Sequence, residues 1–81
     1  MMAEELIIVY VTDWCGACHR ALKIFKQKNI PYKSINIDRD RAGEEFILKV
    51  NQGMRSVPTI VFPDGKTLVE PSDQTLEALL S

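Results

Sequence analysis

Asp13-Trp14-Cys15-Gly16-Ala17-Cys18-His19 is the stretch that decides the fold. It holds the chain's two cysteines, with two residues between them. Upstream, Leu6-Ile7-Ile8-Val9-Tyr10-Val11-Thr12 reads as a buried strand. Downstream, Ala17, Ala21, Leu22, Ile24 and Phe25 recur at helical spacing. A strand that delivers a C-x-x-C pair to the first turn of a helix is a specific arrangement. One sulfur meets the N–H groups of the helix terminus, which stabilise a thiolate. The second lies within bonding reach of the first.

Working outward, the spacing predicts a strand over 6–12 and a helix from Cys15 or Gly16 to Lys28. Arg20, Lys23, Lys26 and Lys28 form the polar face of that helix, and the lysines suit the negative end of its dipole. Asn29-Ile30-Pro31 ends it, because a proline disfavours the helical conformation of the residue before it. A second strand follows over Tyr32–Ile37. Asp38 or Asp40 caps a helix at about 41–51, with Ala42, Phe46, Ile47 and Val50 expected inward and Glu45 paired with Lys49. Gly53 is the expected stop. A third strand, Thr59–Phe62, is entered through Val57-Pro58, turns at Pro63-Asp64-Gly65-Lys66 and returns as Thr67–Val69. Ser72 caps a last helix over 73–80 with Leu76, Leu79 and Leu80 inward. The order is β-α-β-α-β-β-α. A right-handed crossover makes the first two strands parallel, and the hairpin makes the last two antiparallel. The expected architecture is α/β: a mixed four-stranded sheet with helices on both faces.

At 81 residues the chain is a single small domain, taken as 1–81. Its composition, 46% hydrophobic, supports a core and argues against a disordered chain. A formal net charge of −1 gives no electrostatic reason to bind nucleic acid or an anionic membrane. No apolar run approaches the ~20 residues of a membrane span. Met1-Met2-Ala3-Glu4-Glu5 lacks the basic start of a signal peptide, so a cytoplasmic location is expected. In a reducing compartment a lone C-x-x-C is catalytic or metal-binding rather than a structural staple. The chain shows no long exposed apolar stripe, so a monomer is expected.

Trp14-Cys15-x-x-Cys18 between strand and helix, followed by Ser56-Val57-Pro58-Thr59 in this element order, resembles the thioredoxin fold and within it the glutaredoxin-like proteins. The resemblance covers roughly 6–80. The short N-terminus favours glutaredoxin over thioredoxin, which carries an extra leading strand and helix. Asn51-Gln52-Gly53-Met54-Arg55-Ser56-Val57-Pro58-Thr59, with Asp64-Gly65-Lys66-Thr67-Leu68 and Pro71-Ser72, looks most like mycoredoxins and related bacterial glutaredoxin-like proteins.

The resemblance implies a thiol–disulfide oxidoreductase. Cys15 is then the nucleophile and Cys18 the resolving thiol. Pro58 is expected to be cis against the cysteine pair, leaving the Val57 backbone to pair with a substrate as an added strand edge. Trp14 is expected to cover one side of the site. Arg55 is placed to meet a carboxylate of a small thiol, the competing reading being a solvated loop arginine. Ser72 and Asp73 stand where glutathione-binding relatives hold the glutamyl end of the tripeptide, and are read first as helix caps. The Gly-Gly that precedes this place in those relatives is replaced by Val69-Glu70, with Pro71 following, so side chains, one acidic, should crowd or repel glutathione. No tightly bound cofactor is expected. A low-molecular-weight thiol of the glutathione or mycothiol type is the expected cosubstrate, and disulfide-containing proteins the expected substrates. A disulfide reductase such as thioredoxin reductase is the alternative electron donor, as for the glutaredoxin-like donors of ribonucleotide reductase. A cluster-sharing dimer carrying iron–sulfur is a further alternative.

Two rival motifs weigh less. Cys15-Gly16-Ala17-Cys18-His19 matches the c-type haem attachment pattern, which the preceding strand and the Val-Pro contradict. Cys15, Cys18 and His19 offer three ligands crowded on one turn, where a structural zinc site needs four. His19 otherwise reads as an exposed helix residue or a proton-transfer partner of Cys18. Asp13 reads first as a solvated loop carboxylate, the alternatives being that it tunes the thiolate or repels acidic partners.

Overall fold

A computed structural model describes residues 6–80. The sheet is built around β1 (Ile7–Val11), the strand that leads to the cysteine pair. Beside it on one edge lies β2 (Tyr32–Asn36), parallel, with Val9 opposite Ser34. On the other side β3 (Thr59–Val61) pairs antiparallel, with Val9 opposite Ile60, and β4 (Thr67–Val69) completes the order β2-β1-β3-β4. The helices are α1 (Gly16–Gln27), α2 (Arg41–Val50) and α3 (Asp73–Leu80). Every element lies within one residue of its sequence-predicted bounds, the scatter normal at frayed ends.

Alternation along the strands assigns the faces. Tyr10, Ile35 and Thr59 share one face, and Tyr10 stacks on Phe46 of α2 with ring centroids 5.1 Å apart. Val9 and Tyr32 belong to the opposite face, where Tyr32 meets Phe25 of α1 at 5.4 Å. Helix α3 packs alongside α1 and sends Leu76 into the core. The core of the two layers is therefore Val9, Phe25, Ile37, Ile47, Ile60 and Leu76, all at most 1% exposed.

Local chemistry ends the helices where the sequence indicates. Asp40 caps α2, its Oδ1 accepting the Gly43 N–H at 2.8 Å. Helix α1 closes with Asn29 in the left-handed region (φ 58°) and the Ile30 N–H on the Phe25 carbonyl, a paired closure before Pro31. The end of α2 repeats this with Gln52 (φ 56°) in the left-handed position and the Gly53 N–H on Leu48. Ser72 caps α3 by accepting the Thr75 N–H at 3.1 Å.

Three inward expectations are corrected. Ala42 is exposed and Gly43 is buried in its place, because α2 approaches the sheet closely there. A Cβ at 43 would stand 2.8 Å from the Ile35 methyl. Val50 (41% exposed) and Leu79 (43%) face outward, each in the last turn of its helix, where fewer neighbouring residues are available to cover it. The pair expected between Glu45 and Lys49 is not among those the described residues form; the neighbouring Glu44 binds Arg55 instead. Gly43→Ala should lower stability by about 1 kcal/mol net, since displacing Ile35 outweighs the gain in helix propensity. Urea unfolding measures this; an unchanged or higher midpoint would contradict the close approach.

Candidate active site

The buried Thr12 follows β1, and the chain turns through Asp13 and Trp14 into α1. Cys15 is the N-cap of that helix, with extended backbone (φ −92°, ψ 111°). Its Sγ accepts the Cys18 N–H at 3.1 Å, a bond usually made by a serine, threonine or aspartate oxygen. Its thiol also points to the Val57 carbonyl at 3.8 Å. The sulfur is thus held between the first turn of α1 and the loop that enters β3. The Val57–Pro58 bond is cis, and Pro58 is fully buried.

The two sulfurs differ in surroundings. Cys15 is half-buried and Cys18 is 1% exposed; both are free thiols. Burial pushes the Cys18 thiol up to about 12. The hydrogen bond to Cys15 adds to this, the Thr12 backbone N–H works against it, and the charges of Cys15 and Glu70 add smaller upward effects. A thiolate at Cys18 is therefore strongly disfavoured until its proton can leave. The Thr12 hydroxyl is buried and has no hydrogen-bond partner.

A polar chain flanks the loop that leads into Cys15. The indole N–H of Trp14 donates to Asp38 at 3.1 Å, Asp38 pairs with Arg55, and Arg55 Nε donates to Glu44 at 2.9 Å. Asp38 is held below the ordinary carboxylate range, first by its hydrogen bond to Arg55. Asp13 accepts from Asn36 at 2.9 Å and pairs with Arg39 at 2.7 Å, while His19 Nε2 lies 2.8 Å from the Asp13 carbonyl. Ion pairs this exposed contribute little stability, so their effect is geometric: they tie the Trp14 loop to the segment between β2 and α2, and the loop before Pro58 to that segment and to α2.

The fold brings together Trp14, Cys15, Cys18, Val57 and Pro58. Trp14 is 70% exposed, with one edge tied to Asp38. Arg55 lies in the same network, with its guanidinium already on two carboxylates. Ser72 and Asp73 stand at the start of α3, Ser72 as a cap and Asp73 facing Arg20 of α1 at 3.6 Å. Sequence reasoning missed Asp38 and Glu44 as partners of Arg55. A signal was available: residues just beyond the carboxyl ends of two adjacent parallel strands meet at the rim of an open α/β sheet. Trp14 and Asp38 are such a pair.

The sheet order, the cysteine pair at the start of α1 and the cis proline facing it define a thioredoxin-like α/β protein. The glutaredoxin family model matches residues 7–68. A protein provisionally designated a glutaredoxin in Mycobacterium tuberculosis (strain H37Rv) is 39% identical over 79 residues, covering 98% of this chain and 94% of that protein. Mycoredoxin 1 of Corynebacterium glutamicum is 35% identical over 65 residues, 80% of each chain. The crystal structure of a glutaredoxin from Archaeoglobus fulgidus superposes with a TM-score of 0.74 at 26% identity, covering 96% of this chain and 88% of that one. The chain belongs to the glutaredoxin family, and its similarity is to the mycoredoxin-like members. The family acts in thiol–disulfide oxidoreduction with low-molecular-weight thiols. Among the described residues, no helix is long and apolar enough to cross a membrane.

Proposed function

We propose that this protein reduces protein disulfides, or mixed disulfides with a small thiol, by dithiol exchange between Cys15 and Cys18. The observation that carries the reading is the asymmetry of the two sulfurs. The half-buried Cys15 sits at a helix N-cap with an N–H donating to it, and Cys18 lies buried directly below.

The Cys15 thiolate attacks one sulfur of the substrate disulfide. A mixed disulfide forms and the other substrate sulfur leaves as a thiolate, which takes a proton. The Cys18 N–H that stabilised the thiolate remains at the first turn, and the sulfur it faced is now bonded to substrate. Cys18 then loses its proton as it attacks Cys15 Sγ. The Cys15–Cys18 disulfide forms and the second substrate thiol departs. Two electrons have passed from the dithiol to the substrate. Two equivalents of a small thiol, or a disulfide reductase, restore the dithiol. The high proton affinity of Cys18 suits a resolving group: it stays a thiol until the mixed disulfide presents its electrophilic sulfur.

In this reading the exposed face of Trp14 and the Val57 backbone receive the substrate, and Pro58 shapes the wall behind Cys15. Arg55 fixes the loop on which Val57 stands, and Ser72 and Asp73 hold the start of α3. The mycoredoxin-like similarity supports a small thiol as reductant.

The test is a coupled reduction of a mixed-disulfide peptide, following NADPH oxidation. Glutathione with its reductase, mycothiol with its reductase, and thioredoxin reductase alone are supplied in parallel. Turnover with either small-thiol system is expected. Turnover with thioredoxin reductase alone would assign the protein to the reductase-dependent electron donors. Failure in all three would overturn the oxidoreductase reading and favour the cluster-carrying one.

A further inference from the structure

Three guanidinium groups, on α1 and on the loops flanking the Trp14 turn, are each committed to a carboxylate. Arg39 is paired with Asp13, Arg20 faces Asp73, and Arg55 is shared by Asp38 and Glu44. The sharing leaves one carboxylate charge uncompensated on the Trp14 side. Glu70 supplies another on the opposite side. It follows β4 in a left-handed conformation (φ 49°), uncommon for a residue with a long side chain, and its N–H donates to the Pro58 carbonyl at 2.8 Å. Pro58 follows Val57, whose carbonyl faces Cys15 Sγ. Glu70 is therefore pinned to the loop that walls the nucleophile. It is exposed, and among the described residues its carboxylate makes no ion pair. Burial and the Cys15 hydrogen bond dominate the upward push on the Cys18 thiol, and the Glu70 charge adds the smallest share in the same direction. In these ion pairs three guanidinium groups meet four carboxylates (Asp13, Asp38, Glu44 and Asp73), and Glu70 adds a carboxylate outside them.

We propose that the site discriminates disulfides by charge, taking neutral and cationic partners in preference to anionic ones, with Glu70 as the specificity-determining residue. The inference rests on the thiol–disulfide reading above. An incoming disulfide that carries carboxylates brings like charge towards both Glu70 and the Cys15 thiolate, and the guanidinium groups of Arg20, Arg39 and Arg55 are already paired. A single extra charge a few ångströms away in partly solvated surroundings changes a rate by about three- to tenfold, and salt screens it.

The experiment is a single turnover, which needs no charged reductant. The prereduced protein is mixed anaerobically with excess bis(2-hydroxyethyl) disulfide (neutral), cystamine (cationic) or 3,3′-dithiodipropionate (anionic). Acid quench and mass analysis read formation of the Cys15–Cys18 disulfide. Each rate constant is divided by that of the same disulfide with 2-mercaptoethanol, which removes intrinsic reactivity. The expected order is cationic, neutral, anionic, compressed at high salt. Glu70→Gln should raise the anionic-to-neutral ratio about threefold, and Glu70→Lys should raise it further while lowering the cationic-to-neutral ratio. Ratios that stay fixed through both substitutions, while the neutral disulfide reacts, would overturn the role of Glu70 and leave the oxidoreductase reading standing. A wild-type protein that fails to react even with the neutral disulfide would overturn the oxidoreductase reading, and this inference with it.

Discussion

Cys15→Ser should reduce disulfide turnover to the background of the reducing thiol alone, a loss of at least about a thousandfold. A serine hydroxyl is not ionised near neutral pH and cannot form the mixed disulfide. The substitution is also a clean one structurally. Cys15 is the N-cap of α1, and serine is among the preferred N-caps, so its oxygen can take over the Cys18 N–H. The helix should stay intact, and urea unfolding should show a midpoint close to that of the parent. Loss of activity with retained stability then reports chemistry alone. Cys18→Ala should behave differently. It leaves the first attack in place, so reduction of mixed disulfides with a small thiol persists while reduction of protein disulfides by the dithiol route is lost. Full retention of activity in Cys15→Ser would remove Cys15 from the nucleophile's role.

Native alkylation should separate the two thiols by an equally large factor. With its thiol pushed up to about 12, chiefly by burial, Cys18 stays almost wholly protonated at pH 7. It is also 1% exposed, so reagent reaches it only when the structure opens. Iodoacetamide at pH 7 should therefore add a single label, on Cys15, and a second on Cys18 only after denaturation. The sign of the pH effect follows from the direction of the shift: a raised thiol gains thiolate tenfold per pH unit across the alkaline range. Labelling of Cys18 should climb accordingly while the fold persists. Peptide mapping by mass spectrometry reads both sites. Two labels added at similar rates at pH 7 would contradict the buried, high-affinity proton on Cys18.

What was legible in the sequence was local or strongly periodic. The apolar run before Asp13 specified β1, the Ala21–Phe25 spacing specified the inward face of α1, and Ser72 and the Asp38/Asp40 pair marked their helix starts, the structure choosing Asp40 of the two. The cis bond at Pro58 came from resemblance rather than spacing. Long-range choices were hidden. Periodicity places Ala42 and Gly43 on neighbouring angles of the same helix, and only the approach of Ile35 decides which one is buried. Arg55 could be read as a ligand contact because nothing near it in sequence shows Asp38, 17 residues away, or Glu44, 11 residues away, arriving beside it. Glu70 was visible as an acidic departure from the family pattern. Its attachment to the Pro58 carbonyl, which gives that charge a fixed place, was not.

The most direct test of the central claim is to trap the intermediate. The Cys18→Ala protein, reduced and mixed with a peptide–thiol mixed disulfide, is quenched in acid and mapped by intact and peptide mass. The account predicts a stable adduct on Cys15 in this variant, and in the parent protein no adduct but a loss of two hydrogens as the Cys15–Cys18 bond closes. No adduct on Cys15, or a parent protein that keeps its adduct without forming the internal disulfide, would contradict it.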